Sequence, residues 1–397
     1  MNRWLAVLVI AFFLSIESAR SADPAPVFIG LDAEFGLTNS TSAQSIELGI
    51  ETALAEINAR GGVLNGRPLE LIITDNRSMP ARGIHNLQKL AVTPDLVAVF
   101  SGRFSPVVLE TLPTLAATQL INLAPWSSAD GITENDMSPS YSFRLSLKDR
   151  YAMPVMLRFA AQRGAKKVGL LFTNTSWGRS NLKAAERYLS STGDLLSVGT
   201  AWYNWQDTSL LKEYQVLLRA GAEAIILVAN DDEGAALVSE IAELPAEQRL
   251  PIISHWGVTG GNFIGQLARR DALDDLDFSV VQTFTFFGLA PARIEQLMKT
   301  LRQISTITDV RKIEAPVGFG HAYDLTYILA RAVDMAGSTN RQIIRDKLEL
   351  VTDYDGLVRF YARPFTPDNH DALSLEDVFM ARYSADGLIR PIPSTPQ

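Results

Sequence analysis

The loop SGRFSP, residues 101–106, joins hydroxyl groups to an arginine where an apolar, strand-like run ends and a helical pattern begins. Pro106 suits the first position of that helix, because a proline there loses no hydrogen bond. The free N–H groups and the positive dipole end of a helix attract a carboxylate. Ser105 is therefore a candidate to bind an acid group, and Arg103 is a candidate to form a paired hydrogen bond with it. The alternatives are helix capping for Ser105, an ordinary surface position for Arg103, and packing for the neighbouring Phe104.

A second pair of polar residues follows the strand-like run 224–228. Asn230 and Asp231 stand at its carboxyl end, where open parallel sheets place their ligands. An acidic residue is also favoured in the first turn of a helix, so Asp231 has a structural alternative. Both residues enter the candidate set for solute binding, together with Ser42 in the first turn of the first predicted helix.

Catalytic motifs are missing from the sequence. The chain has no cysteine and four histidines, and it contains neither the Gly-x-Ser-x-Gly motif of serine hydrolases nor a His-x-x-x-His metal pair. No glycine-rich phosphate motif follows a strand. A secreted hydrolase whose serine and histidine meet only in the fold is the enzyme alternative. Our expectation is a protein without catalysis, cofactor or metal.

The N-terminal segment predicts export. A basic start precedes an apolar run from Leu5 to Leu14, and small residues follow at Ala19 and Ser21, a pattern typical of a cleaved signal peptide. The apolar run is about half of the roughly 20 residues needed to span a bilayer. We expect residues 1–21 to be removed near Ser21 or Ala22. Because no cysteine is available for lipidation, we expect the mature chain to lie free in the periplasm.

Length and hydrophobic periodicity predict an α/β fold in two parts. The roughly 375 residues that remain after the signal suit two domains better than one. Strand-like runs alternate with amphipathic segments such as 41–60, where apolar residues recur at helical spacing. Repeated β-α-β units imply parallel sheets with helices on both faces. Three extended segments, at 141–145, 280–286 and 356–361, indicate a chain that crosses between two lobes three times.

The block INARGGVLNGRPLE, residues 57–70, closely resembles the leucine/isoleucine/valine-binding family of transporter receptors. The resemblance continues through Phe143-Arg144 and Trp177-Gly178 over nearly the whole mature chain and weakens after about Pro291. It implies the type I periplasmic-binding-protein fold, in which three hinge strands join two lobes that close on a solute. The expected lobes are residues 22–145 plus 284–353, and residues 146–283 plus 354–397.

The resemblance also implies roles for individual residues. Ser105 aligns with the family's ligand-binding serine, while Ser127 and Ser128 occupy the loop that offers a backbone N–H and a hydroxyl to the ligand. Trp177 replaces a tyrosine that precedes a glycine, and we expect it to cover the ligand from the second lobe. Packing beneath the following helix is the alternative for Trp177, and a solvated loop is the alternative for the two serines.

Two departures from the family pattern bear on the ligand. Trp256 stands where the amino-acid binders carry the glutamate that grips an ammonium group, and Asp231 stands where they carry an aromatic residue. Trp126, Trp177 and Trp256 are three large rings that the resemblance directs toward the cleft, with structural packing as the alternative for each. We therefore expect a small polar solute, either an organic acid or an amino-acid-like molecule, with a flat or aromatic portion.

The implied partner is an ABC-type permease of the inner membrane, served by a monomeric receptor. A periplasmic sensor that feeds a membrane signalling protein uses the same lobe closure, so the sequence leaves that alternative open. The balance of 44 acidic against 36 basic residues, without a basic cluster, argues against a nucleic-acid partner.

Overall fold

The computed structural model describes residues 24–38, 40–269 and 271–393, so the predicted signal peptide lies outside the described residues. Two large sheets with connecting helices form two lobes, and the predicted α/β class is confirmed. Central strands are buried along most of their length, as expected of parallel strands with helices on both faces. Within the described ranges, no helix is both long and apolar enough to cross a membrane.

The first lobe contains a parallel sheet of five strands in the order β2-β1-β3-β4-β5. Its core explains the helical spacing of the first amphipathic segment, since Ile46, Ile50 and Ala53 are fully buried against the sheet and its neighbours. In chain order the elements are β1 (Val27–Ala33), α1 (Thr41–Ala59), β2 (Leu69–Asp75), α2 (Pro80–Ala91), β3 (Leu96–Ser101), α3 (Ser105–Thr118), β4 (Ile121–Ala124) and β5 (Ser142–Arg144).

The second lobe contains five parallel strands in the order β7-β6-β8-β9-β10. Every residue of the central strand β8 is buried, which agrees with its continuous apolar run in the sequence. The elements are α4 (Asp149–Gln162), β6 (Lys167–Thr173), α5 (Ser176–Thr192), β7 (Leu196–Tyr203), α6 (Leu211–Arg219), β8 (Ala224–Val228), α7 (Asp231–Ala242), β9 (Ile252–Ser254), α8 (Phe263–Gln266) and β10 (Phe278–Gln282).

The C-terminal part of the chain contributes to both lobes. Helix α10 packs along α1 of the first lobe, while β13 pairs with β10 and β14 pairs with β13, both in antiparallel orientation. The expected parallel sheets are present, and these two antiparallel strands extend one side of the second sheet beyond the point where the resemblance weakens. The elements are α9 (Pro291–Ile304), α10 (Pro316–Ala336), α11 (Arg341–Leu348), β11 (Tyr354–Asp355), β12 (Phe360–Tyr361), β13 (Phe379–Tyr383) and β14 (Ile389–Pro391).

A buried ion cluster, which we call the hinge cluster, lies where the chain leaves the first sheet. It consists of Arg144, Lys148 and Asp371. Arg144 Nε donates to Asp371 Oδ1 at 2.6 Å, and Lys148 Nζ lies 2.6 Å from Asp371 Oδ2. Burial opposes ionisation of the Asp371 carboxyl, but Arg144 and Lys148 outweigh it and hold the pKa at about 2. The residues at which the two lobes divide stay a prediction.

Candidate functional site

A cavity of about 130 Å³ lies between the two lobes. Its walls come from loops that follow the carboxyl ends of strands in both sheets, the edge where open parallel sheets bind ligands. Most of the candidate set lines it: Arg103, Phe104, Ser105, Trp126, Ser128, Trp177, Asn230 and Trp256. The structure therefore brings together residues that are far apart in the sequence.

Tryptophans from opposite lobes meet at this cavity. Trp126 of the first lobe and Trp256 of the second are 2% and 1% exposed, and their ring centroids lie 5.6 Å apart at a tilt of 44°. Trp177 forms a further wall, and Gly257 leaves room for it: a Cβ at Gly257 would overlap the Ala229 carbonyl and the Trp177 ring. The rings are thus fixed by packing on both sides of the cleft.

The indole N–H of Trp177 ties the lobes together. Its Nε1 donates to Ser128 Oγ at 3.0 Å across the cleft and lies 3.3 Å from Asp149 Oδ1. Asp149 Oδ1 is also 3.2 Å from His255 Nε2, and both of these side chains are fully buried. These contacts hold the Trp177 ring in one orientation against the cavity.

Ser105 does not cap its helix. Phe104 occupies the position before α3, and Ser105 Oγ instead accepts the backbone N–H groups of Ser128 and Ala129 at 3.2 Å each. This arrangement joins the two first-lobe loops and leaves the Ser105 hydroxyl hydrogen to be donated. Ligand binding by Ser105 remains a prediction.

Arg103 and Asp231 bind each other across the cleft. Arg103 Nη1 donates to Asp231 Oδ1 at 2.7 Å, and the two side chains are 7% and 2% exposed. Arg103 Nε also lies 3.7 Å from Glu34 Oε1, and Glu34 is 1% exposed. We call Glu34, Arg103 and Asp231 the cleft cluster. Asp231 lies behind Arg103 and does not line the cavity.

Two of the predicted site serines do not line the cavity, and their hydroxyls bind neighbouring parts of the protein. Ser127 is fully buried and donates to the Gly102 carbonyl at 2.7 Å. Ser42 is also fully buried and donates to Glu34 Oε1 at 2.6 Å, which fixes a member of the cleft cluster. Both hydroxyls are therefore engaged by the protein itself.

Several lining residues carry no sequence pattern that marks them as site residues, and Trp205 is the largest of them. Trp205 lies just after β7, is 37% exposed, and places its ring centroid 5.1 Å from that of Phe104 in the other lobe. Thr173, Thr175 and Ser78 also line the cavity. The signal that could have identified Trp205 is its position just after β7, because the carboxyl end of that strand lies at the ligand-binding edge. Most residues of β7 are partly or fully exposed, so the strand shows no clear apolar run in the sequence.

His321 links the Trp126 loop to the segment that follows β10. Its Nδ1 donates to the Pro125 carbonyl at 2.8 Å, and its Nε2 accepts from the Thr283 hydroxyl at 3.0 Å. Burial lowers the pKa of His321 to about 4, so the ring is neutral near pH 7. The His321 ring lies 5.8 Å from the ring of Trp256, which places a neutral imidazole behind the aromatic wall.

A larger, more open groove of about 490 Å³ lies elsewhere, with Asn262, Thr285, Arg311 and Asp386 among its walls. None of the predicted site residues lines it. Among the described residues, no group of three or more His, Cys, Asp and Glu side chains is placed to hold a metal ion.

The chain is similar to known proteins in both sequence and fold. A family model described as periplasmic binding protein matches residues 27–387. Leu/Ile/Val-binding protein homolog 2 of Brucella abortus (strain 2308) is 26% identical over 171 residues, which are 43% of this chain and 45% of that protein. The aligned part thus spans less than half of the relative's length.

Solved structures share the fold at low sequence identity. A periplasmic binding protein type 1 from Bordetella pertussis Tohama I has a TM-score of 0.81 and 19% identity, covering 92% of this chain and 100% of that one. An ABC transporter solute-binding protein from R. palustris, in complex with 4-hydroxybenzoate, has a TM-score of 0.74 and 15% identity, covering 93% and 96%.

Proposed function

This chain belongs to the periplasmic binding protein family, and on that premise we propose that it is the solute receptor of an ABC-type importer. The resemblance drawn from residues 57–70 is confirmed, and the family consists of binding proteins rather than enzymes. The observation that carries the proposal is the cavity walled by both lobes, with Trp126 and Trp256 meeting across it. Such a site binds a solute fully only when the lobes close.

The proposed solute is small, polar and carries a ring. The cavity volume of about 130 Å³ is close to the roughly 150 Å³ of an engineered cavity that accommodates benzene. Aromatic walls favour a planar group by about 0.5–1.5 kcal/mol beyond burial. The hydroxyls of Ser105, Ser128 and Thr175 supply hydrogen bonds for a polar end. The sequence predicts an organic acid or an amino-acid-like solute. The acid group of such a solute would have to bind Arg103 while Arg103 also binds Asp231.

The remaining parts of the proposal concern location and partner. We propose that residues 1–21 direct export, that the mature protein acts as a monomer in the periplasm, and that its closed form docks on an inner-membrane permease. The proposed lobes are residues 22–145 plus 284–353 and residues 146–283 plus 354–397.

A solute screen followed by scattering tests the proposal. A thermal-shift screen of amino acids and small aromatic compounds identifies a ligand, since a solute at 100 times its Kd stabilises the fold by about 2.7 kcal/mol. Small-angle X-ray scattering should then show a smaller radius of gyration at saturation. An unchanged radius with bound solute contradicts capture by lobe closure.

Uptake separates the importer from a sensor. Deleting the chromosomal copy should abolish uptake of the labelled solute, and restoring the wild-type chain should recover it. Uptake that survives the deletion contradicts the importer role and favours the sensor alternative.

A further inference from the structure

Arg103 is the one charged side chain in the cavity lining formed by the described residues. The protein already engages it, because Arg103 Nη1 donates to Asp231 at 2.7 Å and Arg103 Nε faces Glu34 at 3.7 Å. The acids have further protein donors: Ser42 donates to Glu34 at 2.6 Å, and Gln266 Nε2 lies 3.3 Å from Asp231 Oδ2. Two carboxylates thus face one guanidinium, and the cleft cluster does not offer an unopposed positive charge.

Glycines at three positions make room for this cluster. A Cβ at Gly260 would overlap the Arg103 guanidinium, one at Gly261 would overlap the Asp231 carboxylate, and one at Gly102 would overlap the Glu34 carboxylate. The backbone of both lobes is therefore shaped around the three charged groups. The backbone therefore accommodates the pairing of these groups when the cleft is closed.

Charged solutes of either sign fit this cavity poorly. A carboxylate beside Arg103 would lie near the fixed carboxylates of Glu34 and Asp231, which repel it and offset the positive charge of the guanidinium. An ammonium group would find no Asp or Glu in the described lining, and Arg103 stands between the cavity and Asp231. Burying a charge without a partner is strongly unfavourable.

An uncharged ring with an amide or hydroxyl group matches the same walls. Trp126, Trp177 and Trp256 supply aromatic faces, while the Ser105 hydroxyl has a hydrogen to donate and Asn230 carries an amide. We propose that the cleft selects an uncharged, ring-bearing solute because Glu34 and Asp231 offset the charge of Arg103 and neither acid lines the cavity. This inference rests on the proposed receptor function and specifies its solute class.

Three ring compounds that differ in charge test the inference. Benzamide is neutral, benzoate is anionic and benzylamine is cationic at pH 7.5, while the ring stays the same. In calorimetric titrations of the mature protein, benzamide should bind at least about tenfold more tightly than either charged probe, since burial of an unpaired charge is disfavoured. Equal or tighter binding of benzoate or benzylamine overturns the inference, and so does a failure of all three to bind at millimolar concentration.

Asp231→Asn tests the cause of the selectivity. The substitution releases Arg103 from one acid, so the affinity ratio of benzoate to benzamide should rise about tenfold or more relative to wild type. Asp232→Asn is the matched control, because it removes the same charge from the exposed neighbouring residue and should leave the ratio unchanged. An unchanged ratio in Asp231→Asn, with native circular dichroism, overturns the inference.

The outcome also separates this inference from the receptor proposal. If leucine or another amino acid binds and compacts the protein while benzamide does not bind, the solute class is wrong and the receptor function stands. If no solute in the screen compacts the protein, the receptor proposal itself fails.

Discussion

The hinge cluster and the cleft cluster use the same chemistry in different settings. Arg144 binds Asp371 with both side chains buried, and Arg103 binds Asp231 with both nearly buried. Arg144 has further acceptors, the Ala129 carbonyl and Thr133 Oγ1, both at 2.8 Å. Arg103 Nε, by contrast, has no hydrogen-bond acceptor among the described residues.

The difference concerns what happens when the lobes separate. With the proposed lobe boundaries, Arg144 lies at the end of a joining segment, so we expect the hinge cluster to stay buried when the lobes open. The cleft cluster joins residues of opposite lobes, so opening exposes Arg103 and Asp231 to water, which solvates both charges. We infer that the hinge cluster stabilises the fold, whereas the cleft cluster sets the closed state and the charge of the solute.

Breaking the hinge cluster should have the largest effect on stability. Arg144→Met leaves Asp371 buried with Lys148 as its one remaining cation, and the free energy of unfolding should fall by about 3–5 kcal/mol. Urea denaturation followed by circular dichroism measures the loss. The matched control is Arg150→Met, since Arg150 is 39% exposed in its pair with Glu134 and should cost less than about 1 kcal/mol. Equal losses of unfolding free energy in the two variants would contradict the proposed role of the hinge cluster in stability.

The pH dependence of stability should reveal the fully buried ring of His321. The pKa of His321 is about 4 in the folded protein and 6.5 in the unfolded chain. Between these two pH values the imidazole is therefore protonated in the unfolded chain but not in the folded protein. Stability should therefore fall as the pH drops from 6.5 toward 4, by roughly 2–3 kcal/mol from this group.

His321→Gln supplies the control for that pH effect. Other buried groups titrate in the same window, since burial raises the pKa of Asp130 and Asp324 to about 6 and gives the opposite slope. The prediction is therefore the difference between two proteins: wild type should lose more stability than His321→Gln between pH 6.5 and 4.5. Parallel pH profiles would show that His321 titrates normally.

Breaking the cleft cluster should open the lobes at a smaller cost in stability. Asp231→Asn should lower the free energy of unfolding by roughly 2 kcal/mol or less, because water can solvate Arg103 once the cleft opens. Without solute, its radius of gyration by X-ray scattering should exceed that of wild type. Asp232→Asn should match wild type in both measurements. A loss of stability in Asp231→Asn as large as that in Arg144→Met would indicate that the cleft cluster stays buried and does not open to water.

The smallest expected effect is that of Trp205 at the cavity mouth. Trp205→Ala removes the contact with Phe104 across the cleft and should weaken benzamide binding by roughly 1 kcal/mol, or several-fold. Trp202→Ala is the control, since Trp202 packs on Phe172 within the second lobe and does not line the cavity. Weakening by Trp202→Ala but not by Trp205→Ala would contradict a role of Trp205 in solute binding.

The sequence predicted the fold because its signals are local. Strands such as β3 and β8 are continuous apolar runs, and α1 shows helical spacing, so each element is visible within a few residues. The edge rule for parallel sheets then singles out Asn230 after β8, and Asn230 lines the cavity. These inferences needed no knowledge of distant contacts.

The details of the site depend on tertiary pairing. Ser42 and Ser127 have suitable side chains, but their orientation is set by Glu34 and by the Gly102 carbonyl. The pairing of Arg103 with Asp231 joins residues 128 positions apart, and no local pattern contains such a pair. For this reason the sequence pattern assigns Arg103 and Asp231 separately to the solute, although the two residues bind each other in the folded protein.

The most direct test of the account is a crystal structure of the protein with the tightest-binding solute of the screen. We predict that its ring lies between Trp126, Trp177 and Trp256, contacts both lobes, and leaves the Arg103–Asp231 pair intact. A solute bound to one lobe only, or in the groove beside Arg311, would contradict capture in this cleft, and a solute that displaces Asp231 from Arg103 would contradict the proposed charge selection.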